Sequence, residues 1–111
     1  MEWVTAQDGL QYVRVTAPTA GELAWADALA PAINADIDTY LGRDVSTDAA
    51  AIAAVAAAAL RAFGYGWKYR EAPFGEASWL DQGGAVRLAG DWIAPIKPIL
   101  ARYRDPAPMI G

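Results

Sequence analysis

The chain has 111 residues, a common size for a single domain, and its 13 acidic and 9 basic side chains give a net charge of −4. It contains no cysteine and no histidine, which excludes disulfides, thiolate chemistry and sulfur-ligated zinc and removes the usual general base near neutral pH. We therefore expect no enzyme, no cofactor and no metal site, and the acidity argues against specific nucleic-acid binding, which needs a basic surface.

Alanine and the aromatic residues dominate what remains of the composition. The 26 alanines favour closely packed helices. Five tryptophans and five tyrosines are many for so short a chain, so we expect some of these rings at contacts with a partner. No segment resembles a signal peptide, and the apolar stretch 49–60 is shorter than the roughly 20 residues that cross a bilayer. The sequence predicts a soluble, cytoplasmic chain without a membrane segment.

The first predicted helix begins at Thr5, whose hydroxyl can cap it, with Asp8 in its electropositive first turn. It should stop before Ala17-Pro18, because the residue before a proline disfavours helical geometry. We expect the apolar side chains of this region to face inward, namely Trp3, Leu10, Tyr12 and Val13.

The second predicted helix begins at Thr19, which forms a capping box with Glu22, and ends at Gly42, a natural left-handed cap. Pro31 lies inside it and should kink it or divide it in two, since proline removes one backbone hydrogen bond. An apolar stripe at helical spacing is expected to face the core. It consists of Trp25, Leu29, Ile33, Ile37 and Tyr40.

The third predicted helix begins near Ser46 or Thr47 and ends near Tyr69. Gly64 and Gly66 each cost about 1 kcal/mol in a helix, so it either ends at these glycines or is held there by aromatic packing. The expected inner face consists of Ile52, Val55, Ala59 and Phe63. The basic and aromatic cluster over 67–70 superficially suits nucleic acid, but we interpret it as a helix end whose cations complement the helix dipole.

Several glycines and one proline interrupt residues 72–91. This pattern predicts either a small hairpin or a long irregular loop. A last helix follows, with Pro95 and Pro98 near its start. The remaining residues, 105–111, are expected to form an extended tail. The sequence thus predicts an all-α bundle of about four helices as a single domain over 1–104, with Trp25 and Trp79 buried and Trp92 at an interface.

Three motifs occur in a particular order along residues 20–104. Residues 32–43 end in Tyr40-Leu41-Gly42-Arg43, the alanine-rich helix ends in Trp67-Lys68-Tyr69-Arg70-Glu71, and the last helix reads Ile96-Lys97-Pro98-Ile99-Leu100-Ala101-Arg102-Tyr103-Arg104. In this order they resemble the head–tail connector, or adaptor, proteins of tailed bacteriophages and related prophages.

The resemblance implies a non-catalytic helical subunit that assembles as a ring, commonly twelve-fold, in the neck of the virion after synthesis in the host cytoplasm. Such a ring docks under the portal protein and receives the next neck or tail protein, for example a stopper. Genome DNA passes through the lumen without specific binding, and an acidic subunit repeated around the ring would repel it.

The charge distribution suggests how copies meet. Residues 1–50 have a net charge of −6 and residues 51–111 a net charge of +2, which favours head-to-tail contact, although solubility alone also explains the pattern. The expected subunit-interface residues are Asp27, Asp38, Arg61, Lys68 and Arg70.

A second contact is expected at the C-terminal end, where the proline-bearing tail cannot fold alone and would become ordered on a partner, in this family the portal. The expected partner-binding residues are Trp92, Tyr103, Arg104, Pro106, Met109 and Ile110. The alternative function is a free-standing helical binding or regulatory module of the antitoxin type, which would be a monomer or a dimer. An enzyme using Tyr65 and Lys68 is the least favoured reading.

Overall fold

Four α-helices and two short 3₁₀ turns form the structure, a computed structural model that describes residues 1–68 and 91–104. Helix α1 spans Ala6–Tyr12, α2 spans Ala20–Leu41 and α3 spans Ala49–Trp67. Helix α4 spans Lys97–Leu100, between the 3₁₀ turns Ala94–Ile96 and Ala101–Tyr103.

No strand occurs in these two ranges, and the predicted all-α bundle of about four helices is confirmed. The predicted hairpin or loop near 72–91, apart from Asp91, and the extended tail 105–111 lie outside the described residues.

The first two helices start where their capping residues are. The Thr5 hydroxyl accepts a hydrogen bond from the Asp8 amide at 3.0 Å. At the start of α2, the Thr19 hydroxyl accepts from the Glu22 amide at 3.1 Å, while the Glu22 carboxylate accepts from the Thr19 amide at 2.9 Å. Both predicted caps are confirmed, because capping depends on residues three positions apart and not on the rest of the fold.

In the turn between α2 and α3, the Asp44 and Asp48 carboxylates accept hydrogen bonds from different backbone amides. Gly42 closes α2 with a left-handed backbone (φ 67°), as predicted. The Ser46 amide donates to Asp44 Oδ1 at 2.8 Å, and this bond lowers the pKa of the Asp44 carboxyl. Asp48 caps α3, because its Oδ1 accepts a hydrogen bond from the Ala51 amide at 3.1 Å. Helix α3 thus begins at Ala49, slightly later than the start predicted near Ser46 or Thr47.

Pro31 does not divide α2, which is continuous from Ala20 to Leu41, so that part of the prediction is wrong. The proline ring is exposed, and it deprives the helix of a single hydrogen bond, the one to the Asp27 carbonyl. The residues on either side, Ala30 and Ala32, are buried, so the helix packs against the core both before and after the proline.

The core lies mainly between α2 and α3, with α1 and the C-terminal helix packed against them. The predicted stripes are largely confirmed, although Tyr40 and Ile52 are only half-buried. Tyr12 was expected to face inward and is 48% exposed, because α1 ends at this residue and its ring lies over the surface at Gly64. Buried members of the two stripes are Trp25, Leu29, Ile33 and Ile37 of α2 and Val55, Ala59 and Phe63 of α3.

Helix α3 continues through both of its glycines to Trp67, which corresponds to the alternative of a helix held by packing. Gly66 lies so close to its neighbours that an added Cβ would be 2.7 Å from Leu29 Cδ1 and 3.2 Å from Trp92 Cε3. The Gly66 carbonyl also accepts a hydrogen bond from Trp25 Nε1 at 3.3 Å. The close contact of α2 and Trp92 with this turn explains why a residue without a side chain is needed there.

Helix α3 is long and apolar enough to cross a membrane by length and composition alone, with a mean hydropathy of 1.5. Its inner face, however, packs against α1, α2 and the C-terminal 3₁₀ turn and helix. Of the apolar window, 39% is buried inside the bundle, and a core helix of a soluble protein meets the same criterion, so this one helix is weak evidence for a membrane span.

Candidate functional site

Two of the three sequence motifs meet in the structure at the aromatic ring of Tyr40. The Arg104 guanidinium lies 4.7 Å from the centroid of this ring, and Lys97 Nζ lies 5.8 Å from it. Beside the ring, Arg43 Nε donates to the Tyr103 carbonyl oxygen at 2.6 Å. We call these five residues, Tyr40, Arg43, Lys97, Tyr103 and Arg104, the Tyr40 junction.

Local structure positions each member of the Tyr40 junction. Tyr40 lies in the last turn of α2, and the left-handed Gly42 reverses the chain so that Arg43 follows immediately beside it. On the other side, Pro98 opens α4, while the buried Leu100 anchors this short helix in the core. The motif ending in Arg43 and the motif ending in Arg104 are thus fixed to each other by a ring contact and a hydrogen bond.

Acidic side chains lie beside two of the three cations of the junction, Lys97 and Arg43. Lys97 Nζ donates to Asp91 Oδ2 at 2.7 Å, and this hydrogen bond, with the charge of Asp91, raises the pKa of the Lys97 ammonium; Tyr40 and Asp36 add smaller contributions. Arg43 lies 3.9 Å from Asp48. All these groups are well exposed, so we expect the junction to hold the last helix in place without contributing much stability.

A second polar cluster attaches the N-terminal segment to α2. Asn34 Oδ1 accepts from the amides of Trp3 and Val4 at 2.9 and 3.0 Å, and its Nδ2 donates to the Val4 carbonyl at 2.9 Å. One turn later, Asp38 accepts from Trp3 Nε1 at 2.9 Å and pairs with the Met1 amino group. Asn34 was not predicted from the sequence; its spacing of four from Asp38, next to a buried stripe, is the signal that could have indicated a shared contact.

Trp92 is not available to a partner, and its assignment to a partner-binding surface is wrong. Its side chain is 2% exposed and is the largest of the fully buried ones in the described residues. Its ring packs edge-on against Trp25, with centroids 6.0 Å apart and an interplanar angle of 82°. The neighbouring charge and prolines suggested a surface position, but Asp91 turns outward to Lys97 while Trp92 enters the core. Trp25 is buried, as predicted.

The predicted interface charges lie on the outside of the bundle. Asp27, Arg61 and Lys68 are exposed and form no ion pair within residues 1–68 and 91–104, whereas Asp38 is engaged by the N-terminal segment. Of the predicted partner-binding residues, Tyr103 and Arg104 belong to the Tyr40 junction. Trp92 is buried. The remaining three partner-binding positions, Pro106, Met109 and Ile110, lie outside the described residues, as do Arg70 and Trp79.

One groove of the bundle, a cavity of about 840 Å³, lies between α1 and the start of α2. It is lined mainly by apolar and amide side chains such as Leu10, Leu23 and Gln11. Its charged residues are single ones, Arg14 and Asp27, and not a pair of carboxylates or a nucleophile with a base. No group of three or more potential metal ligands occurs in the described ranges.

No protein-family model, curated protein or solved structure matches this chain. The interpretation of its function depends on the three sequence motifs and on the Tyr40 junction, where two of them meet.

Proposed function

We propose that the chain is the subunit of a head-to-tail adaptor ring in the neck of a tailed bacteriophage. In this proposal the ring, of about twelve copies, sits under the portal and receives the next neck or tail protein. The observation that supports it most is the Tyr40 junction, because the residues on which the resemblance depends contact one another through Arg43 and Tyr103 at 2.6 Å.

A rigid helical block suits this task. The buried Leu100 and the junction place the last helix against the end of α2, and so they place Arg104, the residue that precedes the tail 105–111. A tail that starts from a rigid point can find its partner at a smaller entropic cost than one that starts from a mobile helix. We propose that this tail binds the portal.

The charge of the chain agrees with a conduit for DNA. The net charge of −4 is multiplied by the number of copies in a ring, and a negatively charged lumen repels the passing phosphate backbone instead of retaining it. In the proposed ring, the acidic outer surface of α2 in one copy faces basic residues of α3 in the next.

The proposal implies a portal gene near the gene for this chain, and binding to that portal protein tests it. The full chain should elute with the portal in size-exclusion chromatography, and deletion of 105–111 should abolish or strongly weaken this complex. Arg102→Ala, at an exposed position before the tail, is a control that should leave it intact. Undiminished binding without the tail would refute the role of the tail, and a free monomer or dimer that ignores the portal would favour a helical binding module instead.

A further inference from the structure

The outer face of α3 has exposed small residues along its first half, followed by two cations that are separated by Gly64, over which the Tyr12 ring lies. Ala50, Ala53, Ala57, Arg61 and Lys68 are exposed and recur at helical spacing on the side opposite the buried face. We call these five residues the basic face. Arg61 is the single charged residue between Ala49 and Trp67.

The outer face of α2 has the opposite charge. Leu23, Asp27, Pro31 and Ala35 are exposed at successive helical turns, and we call them the acidic face. Leu23 is 43% exposed, one of the three most exposed large apolar side chains in the described residues. Asp38 lies further along α2, but its carboxylate is occupied by Trp3 and the Met1 amino group, so Asp27 carries the charge of this face.

The two faces cannot satisfy each other within one chain. Helices α2 and α3 pack together through their buried faces, and the acidic and basic faces lie on exposed sides of the same two helices. Leu23 and Asp27 border the groove beside α1 that also holds Arg14. Asp27, Arg61 and Lys68 have no ion-pair partner in the described part of the chain. Two complementary faces on different sides of one subunit are the arrangement that a head-to-tail contact between copies requires.

We propose that the acidic face of one copy docks on the basic face of the next, with Asp27 of one copy paired to Arg61 of the other. This inference deepens the proposed adaptor function and rests on it. The alanines of the basic face, with Ala35 on the acidic face, let the backbones approach to the roughly 8–10 Å typical of packed helices, while Leu23 supplies apolar contact beside the charges. The proposed contact is more specific than the set of interface residues predicted from the sequence, since it consists of the acidic face and the basic face and does not include Asp38.

Charge reversal with mixing tests this arrangement. Asp27→Arg and Arg61→Asp each place like charges across the contact, so each variant alone should associate about tenfold more weakly than the wild-type chain in sedimentation velocity. In an equimolar mixture of the two variants every contact can regain an opposite-charge pair, and the double variant regains it as well, so both should recover wild-type association. Arg102→Asp, which makes the same charge change at an exposed position off both faces, is the matched control.

Three results separate the possible failures. If the mixture does not recover association, or if Arg102→Asp weakens it as much as Arg61→Asp, the pairing is wrong. If rings form on the portal and neither single reversal affects them, the faces are wrong but the adaptor function stands. If the wild-type chain stays monomeric at its highest soluble concentration and with the portal present, both proposals fail. All three substituted positions, Asp27, Arg61 and Arg102, are exposed, and circular dichroism should show unchanged folding of every variant.

Discussion

Asn34 pairs with Val4 as one strand residue pairs with another: its Oδ1 accepts from the Val4 amide at 3.0 Å and its Nδ2 donates to the Val4 carbonyl at 2.9 Å. A side chain in the middle of α2 thereby satisfies the backbone of the segment before α1. This pairing holds Val4 and Trp3 in the core, at 1% and 7% exposure.

Replacing Asn34 should release the N-terminal segment. Asn34→Ala removes three hydrogen bonds to partly buried backbone groups, and we expect a loss of about 1–3 kcal/mol in the free energy of unfolding. Urea denaturation measures this loss, and hydrogen exchange should show faster exchange of the Trp3 and Val4 amides. Thr39→Ala, at an exposed position of the same helix, is the control. Unchanged protection of these two amides in Asn34→Ala would contradict the account.

Two glycines of α3 should respond in opposite ways to alanine. Gly66→Ala places a methyl group 2.7 Å from the fully buried Leu29, and we expect a loss of about 1–3 kcal/mol from overpacking. In Gly64→Ala the added Cβ would lie 3.1 Å from Tyr12 Cε2, and the exposed Tyr12 ring can move aside. Because alanine has the higher helix propensity, this variant should be neutral or up to about 1 kcal/mol more stable. Equal unfolding midpoints for the two variants would contradict this distinction.

Trp92 should behave as a core residue. Trp92→Ala removes a fully buried ring and its contact with Trp25, and we expect a loss of about 3–5 kcal/mol in the free energy of unfolding. Trp92→Phe retains part of the volume and should lose clearly less. Thermal and urea unfolding check both values. If Trp92→Ala is as stable as the wild type and loses only its binding to a partner, Trp92 acts at a surface and its assignment to the core is wrong.

The Lys97–Asp91 pair should contribute to stability only while Lys97 is protonated. Because Asp91 raises the pKa of Lys97 in the folded chain, the contribution is complete below the ordinary lysine value of about 10.5 and disappears as the pH rises through the higher folded value. Asp91→Asn retains an oxygen for the Ile93 amide and removes the charge. Urea unfolding should therefore show wild type more stable than this variant at pH 7 to 9, with the difference shrinking at higher pH. A difference that persists at high pH would exclude the ion pair as its source.

The parts of the fold that the sequence predicted correctly are local. Thr19, Glu22 and Gly42 act within one helical turn of where they stand, so their roles can be read without knowing what packs nearby. The stripe from Trp25 to Ile37 follows from helical spacing for the same reason. The helix count and class came from these signals.

The misassigned residues depend on contacts between distant segments. Trp92 looks exposed from its polar and proline neighbours, and its burial follows from the space that Gly66 leaves beside Leu29. Asn34 looks like a solvated helix residue until the N-terminal segment passes over it, thirty residues away in sequence. At the Tyr40 junction, the sequence presented both motifs, and only the structure brings Arg43 to Tyr103.

Electron microscopy of the chain bound to its portal protein tests the central claim most directly. The adaptor account predicts closed rings of cyclic symmetry, of about twelve copies, seated on one end of the portal and leaving an open central channel. Monomers or dimers alone, with no ring on any portal particle, would contradict it.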